Sequence, residues 1–447
     1  MLTTDNLIND LLAIGGEDAL TTEASQLAAA SVDGQTPPAI VQPATAEEAA
    51  TFLKYANDKG LKVSIRGGGV HSGIGNRVEK LDLVLSTARL ATITEYSPAD
   101  LMVGVQAGVK LADLRAELAK NGQFLPIETT GEAAGATIGG IIAANNSGPF
   151  RLAYGPARDW LIGVKFALAD GTLAKGGGRV VKNVAGFDMM KLFIGTLGTL
   201  GLIHEMNFKL LPFPAATSTL VIGFADFAAA SQLALKSIEA GTFPSALTIL
   251  DRGAAKELGL PERPATLLIA VRNTALALER QIRDLTRLCK EAGVASPEIQ
   301  ADATAQDSLW AQVTNFGYRK DPGQNIVLKI STLADHSAAL LEQAHAVAGR
   351  LGMEAQLLSH TGHGTSWLTA EYADEAKAFE FIKDLTGWAE RGGGSVAAER
   401  LPLSLKERLG DIWGSALSEG ELKLMRGIKE KLDPNRTLNP GRYVAGI

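Results

Sequence analysis

The sequence predicts an α+β protein with two domains. Runs of β-branched and apolar residues with strand character alternate with amphipathic helical patterns, in an order that indicates two mixed sheets. At 447 residues the chain exceeds what a single hydrophobic core usually supports. Pro212 and Pro214 interrupt a strand-like segment, and we take them as the boundary between the two domains.

The chain opens with a helical segment over residues 1–35, which a Thr-Pro-Pro sequence ends because proline disfavours helix before it. A strand is expected over 39–41. A helix capped by Thr45 follows, because the Thr45 hydroxyl can accept a hydrogen bond from the Glu48 amide. The Glu48 carboxylate can in return accept a hydrogen bond from a backbone amide at the start of the helix. A strand over 61–65 then leads into a glycine-rich loop.

The remaining elements are assigned from the same periodicities. In the first domain, residues 36–214, strands are expected over 83–85, 91–96, 102–106, 163–167 and 202–210, with helices over 110–121 and 137–144. In the second domain, residues 215–425, strands are expected over 217–224, 246–250, 266–271 and 326–331, with helices over 227–240, 274–292 and 337–351.

Three glycine-rich segments, residues 66–69, 131–148 and 195–203, indicate a nucleotide cofactor. Glycines after apolar strands let backbone amides approach a group that a side chain would block, usually a diphosphate or a planar ring. A Rossmann site is disfavoured, because its G-x-G-x-x-G loop needs a third glycine where this chain has Ser72.

The motifs VSIRGGGVHSG, ATIGGIIAANNSG, VKNVAGFD and GTLGTLGLI, in this order, resemble the FAD-binding domain of the vanillyl-alcohol-oxidase type, also called PCMH type. The chain looks most like the flavin subunits of bacterial glycolate oxidase, particularly the smaller one. The resemblance spans residues 36–214 and a second motif, KLDPNRTLNPGR. It implies a two-subdomain FAD-binding domain, a ferredoxin-like α/β cap over 215–425, and a tail, 426–447, that returns to the FAD domain.

The resemblance also implies a cofactor site. The first loop would wrap the FAD diphosphate, the second segment would continue the surface, and a later strand and the tail would reach the adenine and flavin. The implied residues are Arg66, Gly67, Gly68, Gly69, Val70, His71, Pro126, Thr130, Gly131, Thr137, Gly139, Gly140, Asn145, Ser147, Gly148, Tyr154, Gly155, Gly201, Ile203 and Asn439. The alternative for the spaced glycines is close helix packing.

FAD is expected to bind without a covalent link. Relatives with covalent flavin carry a histidine at the position of Val70, and His71 stands one residue too late. His71 is then either a loop histidine or a direct flavin contact. Lys182 and Asp188 are either an exposed loop pair or residues close to the cofactor.

The second domain carries the candidate catalytic residues His360, Glu399 and Arg400. The larger relatives hold a metal with two histidines and a carboxylate, but here Trp367 replaces the second histidine and Arg400 replaces the base. One histidine and one carboxylate are too few for a tight divalent site, so no metal is expected unless His363 contributes. Arg400 could bind a carboxylate and His360 could move a proton, whereas an ordinary Glu399–Arg400 ion pair is the alternative.

Composition restricts the partners. The formal charge of −6 and the absence of a basic run argue against nucleic acid. A single cysteine, Cys289, cannot hold a four-cysteine iron–sulfur cluster, so such a cluster would belong to another chain. Without an apolar run of membrane-spanning length or a leader pattern, a cytoplasmic location is expected, with membrane contact only through partners.

These observations predict an FAD-dependent oxidoreductase that oxidises a small 2-hydroxy acid of the glycolate and D-lactate class. Its electrons would pass to a partner, with a second flavin subunit and an iron–sulfur subunit as the expected complex. Two alternatives stay open: a non-catalytic flavin relay subunit of such a complex, and a flavin reductase that uses NADPH.

Overall fold

The computed structural model describes residues 3–179, 186–294, 296–318, 325–414 and 417–447. The chain divides into two compact units. The first comprises residues 1–146, 156–212 and 417–447, and the second comprises 147–155 and 213–416. The short segment 147–155 therefore belongs with the second unit, although it lies inside the first part of the sequence.

Up to residue 212 the helices are α1 (Thr4–Gly15), α2 (Ala24–Ala29), α3 (Ala46–Asp58), α4 (Leu111–Ala119), α5 (Ile138–Ala144), α6 (Arg151–Tyr154) and α7 (Met189–Phe193). The strands there are β1 (Leu20–Thr21), β2 (Ile40–Val41), β3 (Val63–Arg66), β4 (Leu83–Ser86), β5 (Ile93–Ser97), β6 (Met102–Gln106), β7 (Gln123–Phe124), β8 (Leu161–Ala167), β9 (Leu173–Gly177), β10 (Leu202–Lys209) and β11 (Leu211–Pro212).

Beyond residue 212 the helices are α8 (Phe227–Glu239), α9 (Arg252–Glu257), α10 (Ala275–Glu291), α11 (Ala303–Thr314), α12 (Ser337–Leu351), α13 (Glu375–Arg391), α14 (Leu403–Leu409) and α15 (Glu419–Leu432). The strands are β12 (Ala216–Phe224), β13 (Ala246–Asp251), β14 (Ala265–Asn273), β15 (Glu298–Gln300), β16 (Asn325–Ser331), β17 (Glu354–His360), β18 (Thr365–Glu371) and β19 (Ser395–Arg400).

The first unit contains two principal sheets. One has the order β1-β2-β4-β3, with parallel pairing of β4 to β2 and β3, and the other is the antiparallel sheet β5-β6-β10-β8-β9. The cap of α3 forms as the sequence indicates, since the Thr45 hydroxyl accepts the Glu48 amide at 3.1 Å. The Glu48 carboxylate accepts the backbone amide of Ala44 at 2.8 Å, one residue before the Thr45 amide that a capping box would use.

The second unit is built on one antiparallel eight-stranded sheet with the order β15-β12-β14-β13-β17-β18-β16-β19. Strands β12 to β15 and strands β16 to β19 each form a β-α-β-β-α-β unit, and β13 pairs with β17 to join them edge to edge. The ferredoxin-like prediction is confirmed and extended, since the unit holds two such halves. Strands β17, β18 and β19 carried no sequence prediction.

Apolar residues alternate along these strands, so the large sheet buries both faces. One face, with Leu267 and Ile269, packs on α8, α10, α12 and α13. The other face, with Leu268 and Trp367, packs on Phe150 and on the residues of α9 and α11. None of the described helices combines the length and apolar composition needed to cross a membrane.

Candidate cofactor and substrate sites

The first glycine loop leaves β3 and packs directly on the second glycine segment. A Cβ atom on Gly67 would overlap the Thr137 side chain, and one on Gly68 would overlap the carbonyl oxygen of Gly135. Gly69 adopts a left-handed conformation with φ of 78°. The missing side chains thus let the first loop pack on the Thr137 side chain and on the Gly135 backbone, and the approach of these glycines to a diphosphate stays a prediction.

Arg66, the last residue of β3, folds its guanidinium back over Gly69. The side chain is partly buried, and this desolvation lowers the pKa of the guanidinium. No hydrogen bond or ion pair joins the guanidinium to another described residue. A partly buried cation without a counter-charge is suited to an anion, and a diphosphate provides one.

The second glycine segment supplies the start of α5. The Thr137 hydroxyl caps this helix by accepting the Gly140 amide at 3.4 Å. Gly139 faces away from the first loop, because a Cβ there would lie 2.7 Å from the Cβ of Ala107. Close packing on Ala107 thus explains why residue 139 is a glycine. Thr137 and Gly140, in contrast, line a pocket together with residues of the first loop.

His71 is held by hydrogen bonding to the second segment. Its Nε2 lies 3.1 Å from the Thr130 hydroxyl, and the Thr130 amide donates to the Asn146 carboxamide oxygen at 3.2 Å. Gly131 follows with a left-handed φ of 69°, and Pro126 is buried earlier in the same segment. His71 is therefore a partly buried loop residue that also lines the pocket.

The C-terminal tail binds to both the first loop and the third glycine segment. The Asn439 amide donates to the Val63 carbonyl at 2.8 Å, and its side-chain amide donates to the Leu197 carbonyl at 2.7 Å. The buried Arg442 donates to the carbonyl oxygens of Ser72 and Ile74. The tail thereby fixes β3, the first loop and the third segment against one another.

These segments line a partly open pocket in the first unit. Nine of the predicted cofactor residues line it: Arg66, Gly67, Gly68, Gly69, Val70, His71, Thr137, Gly140 and Asn439. Residues without a cofactor prediction also line it, namely Ser64, Ile65, Ser72, Ala136, Ala143, Ala144, Leu197 and Arg442. Arg442 is the last residue of the Asn-Pro-Gly-Arg motif that begins with Asn439, so this motif could also have indicated Arg442 as a pocket residue.

The other predicted cofactor residues lie elsewhere. Pro126, Thr130, Gly131, Gly139 and Asn145 belong to the first unit without lining this pocket. Gly201 packs on Phe193 and Ile203 is 7% exposed within β10. The segment with Ser147, Gly148, Tyr154 and Gly155 is part of the second unit.

Asp188 has a local structural contact. Its carboxylate accepts the Lys191 amide at 3.3 Å at the start of α7 and lies 2.5 Å from the Lys191 ammonium. The hydrogen bond to Lys191 lowers the pKa of the Asp188 carboxyl. Lys182, its predicted companion, lies outside the described residues.

In the second unit, His360 ends β17 and is only 2% exposed. Its Nδ1 lies 2.9 Å from the Thr248 hydroxyl, and the edge of Trp367 packs at 5.1 Å between ring centres. Burial and the neighbouring His363 hold the pKa of His360 well below its usual range. The imidazole is therefore neutral at physiological pH, because burial disfavours its protonated form.

Trp367 hydrogen-bonds the carboxylate of Glu399. Its indole N–H donates to the Glu399 carboxylate at 3.3 Å. Across the described ranges no group of three histidine, cysteine, aspartate or glutamate side chains is arranged to hold a metal ion. The indole thus takes one of the hydrogen bonds that Glu399 can accept.

Arg400 reaches the same face of the sheet through a β-bulge. Pairing between β16 and β19 shifts by one residue, so that Val327 faces Arg400 while Leu328 faces Ala398. The guanidinium lies 5.3 Å from the centre of the Tyr318 ring. Burial lowers the pKa of Arg400, while Tyr318 and Glu399 oppose this shift.

His363 sits in a single 3₁₀ turn directly after β17, with its ring 5.4 Å from that of His360. Its Nδ1 lies 3.1 Å from the Thr365 hydroxyl. Burial, together with the positive charges of Arg151 and Lys329, lowers the pKa of His363 to about 4. The sequence analysis considered this histidine only as a metal ligand.

Two family profiles match most of the chain. The FAD binding domain profile covers residues 37–177, and the C-terminal domain profile of FAD linked oxidases covers residues 213–443. The chain belongs to the FAD-linked oxidase family. This FAD-linked oxidase is 28% identical to the glycolate oxidase subunit GlcD of Bacillus subtilis, over 92% of its own length and 89% of that protein.

Other relatives carry different names. A D-lactate dehydrogenase of Archaeoglobus fulgidus is 28% identical over 91% of both chains. A D-2-hydroxyglutarate dehydrogenase of Xanthomonas citri is 28% identical over 91% of this chain and 89% of its own. The family, the FAD cofactor and the oxidoreductase class agree with the sequence predictions.

Solved structures agree in fold. A p-cresol methylhydroxylase superposes with a TM-score of 0.76 at 17% identity, covering 98% of this chain and 96% of that one. An alkyldihydroxyacetonephosphate synthase superposes with a TM-score of 0.74 at 16% identity, covering 98% and 85%. These likenesses show the PCMH-type architecture that the glycine segments indicated.

Proposed function

We propose that this FAD-linked oxidase oxidises a small 2-hydroxy acid of the glycolate and D-lactate class. The observation that carries the proposal is the row His360, Trp367, Glu399 and Arg400 on one face of the second unit's sheet. It combines a neutral, buried imidazole with a partly buried guanidinium. The names of the glycolate oxidase and D-lactate dehydrogenase relatives support the same substrate class.

Each residue of the row has a chemical task in this proposal. Arg400 binds the substrate carboxylate with its planar donor fork, and stacking on Tyr318 limits the orientations of that fork. His360 accepts the hydroxyl proton on Nε2, which carries the lone pair in the tautomer whose Nδ1 donates to the Thr248 hydroxyl. Glu399, which accepts a hydrogen bond from the Trp367 indole, partly offsets the positive charge of Arg400.

Bound FAD supplies the acceptor for the hydride that leaves the substrate carbon. The first-loop amides, Arg66 and the tail would hold it, and without a covalent link, because valine and not histidine is present at position 70 of the pocket lining. Acid denaturation should therefore release all flavin into the supernatant. Flavin that stays with the precipitated polypeptide would contradict non-covalent binding.

The test of the substrate class is an anaerobic screen of the flavin spectrum. Glycolate, D-lactate and other 2-hydroxy acids are mixed with the FAD-loaded chain, and loss of the oxidised flavin absorbance is followed. We expect bleaching by at least one acid, with a preference between D and L enantiomers. Bleaching by none of them would reject the proposal.

A second candidate is an electron-relay subunit without its own substrate. It is favoured by the burial of His360 and by the arginine at the position where the larger relatives have a base. Such a subunit would work beside a second flavin subunit and an iron–sulfur subunit in the cytoplasm, with membrane contact through those partners. The relay role would be supported if no 2-hydroxy acid bleaches the flavin of the chain alone, but the flavin is reduced once a substrate-oxidising partner is added.

A further inference from the structure

One edge of β17 is paired over only part of its length. Leu250 faces Leu358 in the pairing of β13 with β17, and the next residue, Asp251, already caps α9. The Asp251 carboxylate accepts the Leu357 amide at 2.9 Å, so a side chain makes the last bond to this edge. Among the described strands, none pairs with residues 354–356 on this side of β17.

The backbone of Ala355 turns its polar groups to this open side. In an antiparallel strand the N–H and C=O of one residue point the same way, and every second residue shares that direction. The Leu357 amide points away from β18, because it donates to Asp251, so the N–H and C=O of Ala355 point away from β18 as well. An unpaired strand edge of this kind is a template for one more strand.

A partly open cleft surrounds this edge within the second unit. α9 lines one wall with Gly253 and Lys256, and α12 lines the other with His345 and Ala348. The start of β17 and the end of β18 lie between these walls. Exposed sheet edges bind extended peptides by strand addition, with neighbouring side chains giving the specificity. The cleft therefore has the form of a peptide-binding groove.

The charges around the cleft select a basic ligand. The basic groups at its walls, Lys256 and His345, each lie beside a carboxylate of this chain, with nitrogen-to-oxygen distances of 3.5 and 3.1 Å. Glu354 and Glu371 line the cleft and face each other in the pairing of β17 with β18. Like charges in directly opposite positions destabilise a strand pair, so a basic side chain placed between them is stabilising.

We propose that this cleft binds an extended, basic segment of a partner polypeptide, which adds as a strand to the open edge of β17. The backbone of the segment pairs with Ala355, and its side chains alternate between two faces. One face meets Ala348 and Met353 on the side of α12, and the other meets Glu354 and Glu371. The segment that fits this groove therefore alternates apolar and basic residues.

The groove is separate from the residues of the proposed oxidation. It lies at the start of β17, whereas His360 ends this strand, about 20 Å away by the rise of an extended chain. Peptide binding is measured without turnover. The result therefore does not depend on whether any 2-hydroxy acid reduces the flavin.

Fluorescence anisotropy with labelled peptides tests the proposal. The probe is fluorescein-labelled Val-Lys-Val-Lys-Val, its counterpart is Val-Glu-Val-Glu-Val, and both are titrated with the FAD-loaded chain. We expect the lysine peptide to bind at least tenfold more tightly. Methylation of its backbone nitrogens should abolish binding, because the added strand then has no N–H to donate to β17.

Glu354→Lys should remove the preference for the lysine peptide, because it reverses the charge on the face that meets the basic side chains. The matched control is Glu298→Lys, since Glu298 is also exposed and lies in β15, an edge strand of the same sheet. This control should keep the preference. Flavin content equal to that of the parent shows that both variants are folded.

Equal binding of the two peptides, or no binding of the lysine peptide, would overturn the proposal. A preference that survives Glu354→Lys, or that Glu298→Lys also removes, would do the same, since it would reflect the charge of the whole chain. Sedimentation velocity of the chain alone examines the other occupant. Self-association that Glu354→Lys removes and Glu298→Lys keeps would replace the partner segment by a second copy of this chain.

Discussion

At the scale of single residues, the same residue type serves different purposes at neighbouring positions. Gly68 allows two loops to meet, Gly139 allows α5 to approach Ala107, and Gly69 takes up a left-handed turn. The histidines differ in the same way. His71 braces a loop, whereas desolvation disfavours the charged forms of His360 and His363, and the positive charges of Arg151 and Lys329 add to this effect at His363.

Replacing Gly68 by valine should abolish FAD retention. The new side chain would overlap the Gly135 carbonyl and push the first loop away from the second segment. The matched control is Gly73→Val in the same loop, where a Cβ meets nothing within 4 Å. The flavin-to-protein absorbance ratio of the purified variants measures the effect. Full flavin occupancy in Gly68→Val would show that the pocket does not depend on this contact.

Arg400→Ala should weaken binding of the acid that bleaches the flavin at least tenfold, because it removes a charge-assisted pair of on the order of 2 kcal/mol. His360→Ala should instead slow flavin reduction at saturating acid, since it removes proton transfer. Arg408→Ala is the control, because Arg408 also stacks on an aromatic ring, 4.2 Å from Phe379. Stopped-flow reduction with unchanged FAD content separates the two effects, and equal behaviour of all three variants would place the substrate elsewhere.

His363 should make the protein less stable in mild acid. Its pKa falls from the ordinary 6.5 to about 4 on folding, so between these pH values the unfolded chain binds more protons. The free energy of unfolding then falls as the pH is lowered through this window, by up to about 1.4 kcal/mol per pH unit for one group. Urea unfolding at pH 7 and pH 5 should show a smaller acid loss in His363→Gln than in the parent. An identical loss would exclude His363 as a source.

At the scale of elements, the last helix and the tail act as one brace for the cofactor pocket. The buried ammonium of Lys429 in α15 donates to Asp433 at 2.7 Å, to the Thr199 carbonyl at 2.7 Å and to the Leu438 carbonyl at 3.0 Å. Asp433 in turn accepts the Thr437 and Leu438 amides. This network presents Asn439 to the pocket.

Lys429→Met should therefore release FAD and destabilise the protein by about 3–5 kcal/mol, because it leaves the carboxylate of Asp433 buried without its partner. Lys54→Met breaks an exposed pair of the same spacing, Lys54 with Asp58 at 2.7 Å, and should cost about 0.5 kcal/mol or less. Urea unfolding and flavin release measure both variants. If Lys429→Met behaves like Lys54→Met, the tail does not brace the pocket.

At the scale of the whole molecule, a single cysteine limits the redox centres that this chain can hold. Cys289, its single cysteine, is buried in α10, and burial raises the pKa of its thiol to about 11. One cysteine is too few to ligate a four-cysteine cluster, so in the proposed complex such a cluster would belong to a second polypeptide.

We expect the FAD-loaded chain alone to reduce a quinone slowly, and a cysteine-rich partner to accelerate this reaction by at least tenfold. Quinone reduction is followed by absorbance with dithionite-reduced flavin as the donor, so that the result does not depend on the substrate. Adding a cysteine-free protein is the control. Rapid quinone reduction by the chain alone would refute the requirement.

The sequence by itself determined the cofactor class and most first-loop and tail residues of its pocket, because glycine segments and the Asn-Pro-Gly-Arg motif are local signals. It also fixed helices such as α12, found at its expected bounds Ser337–Leu351. Only the tertiary structure decided that the second unit has two ferredoxin-like halves, and that a one-residue bulge places Arg400 opposite Val327. Strand pairing and register depend on residues far apart in the chain, and a shift of one residue reverses the face on which a side chain lies.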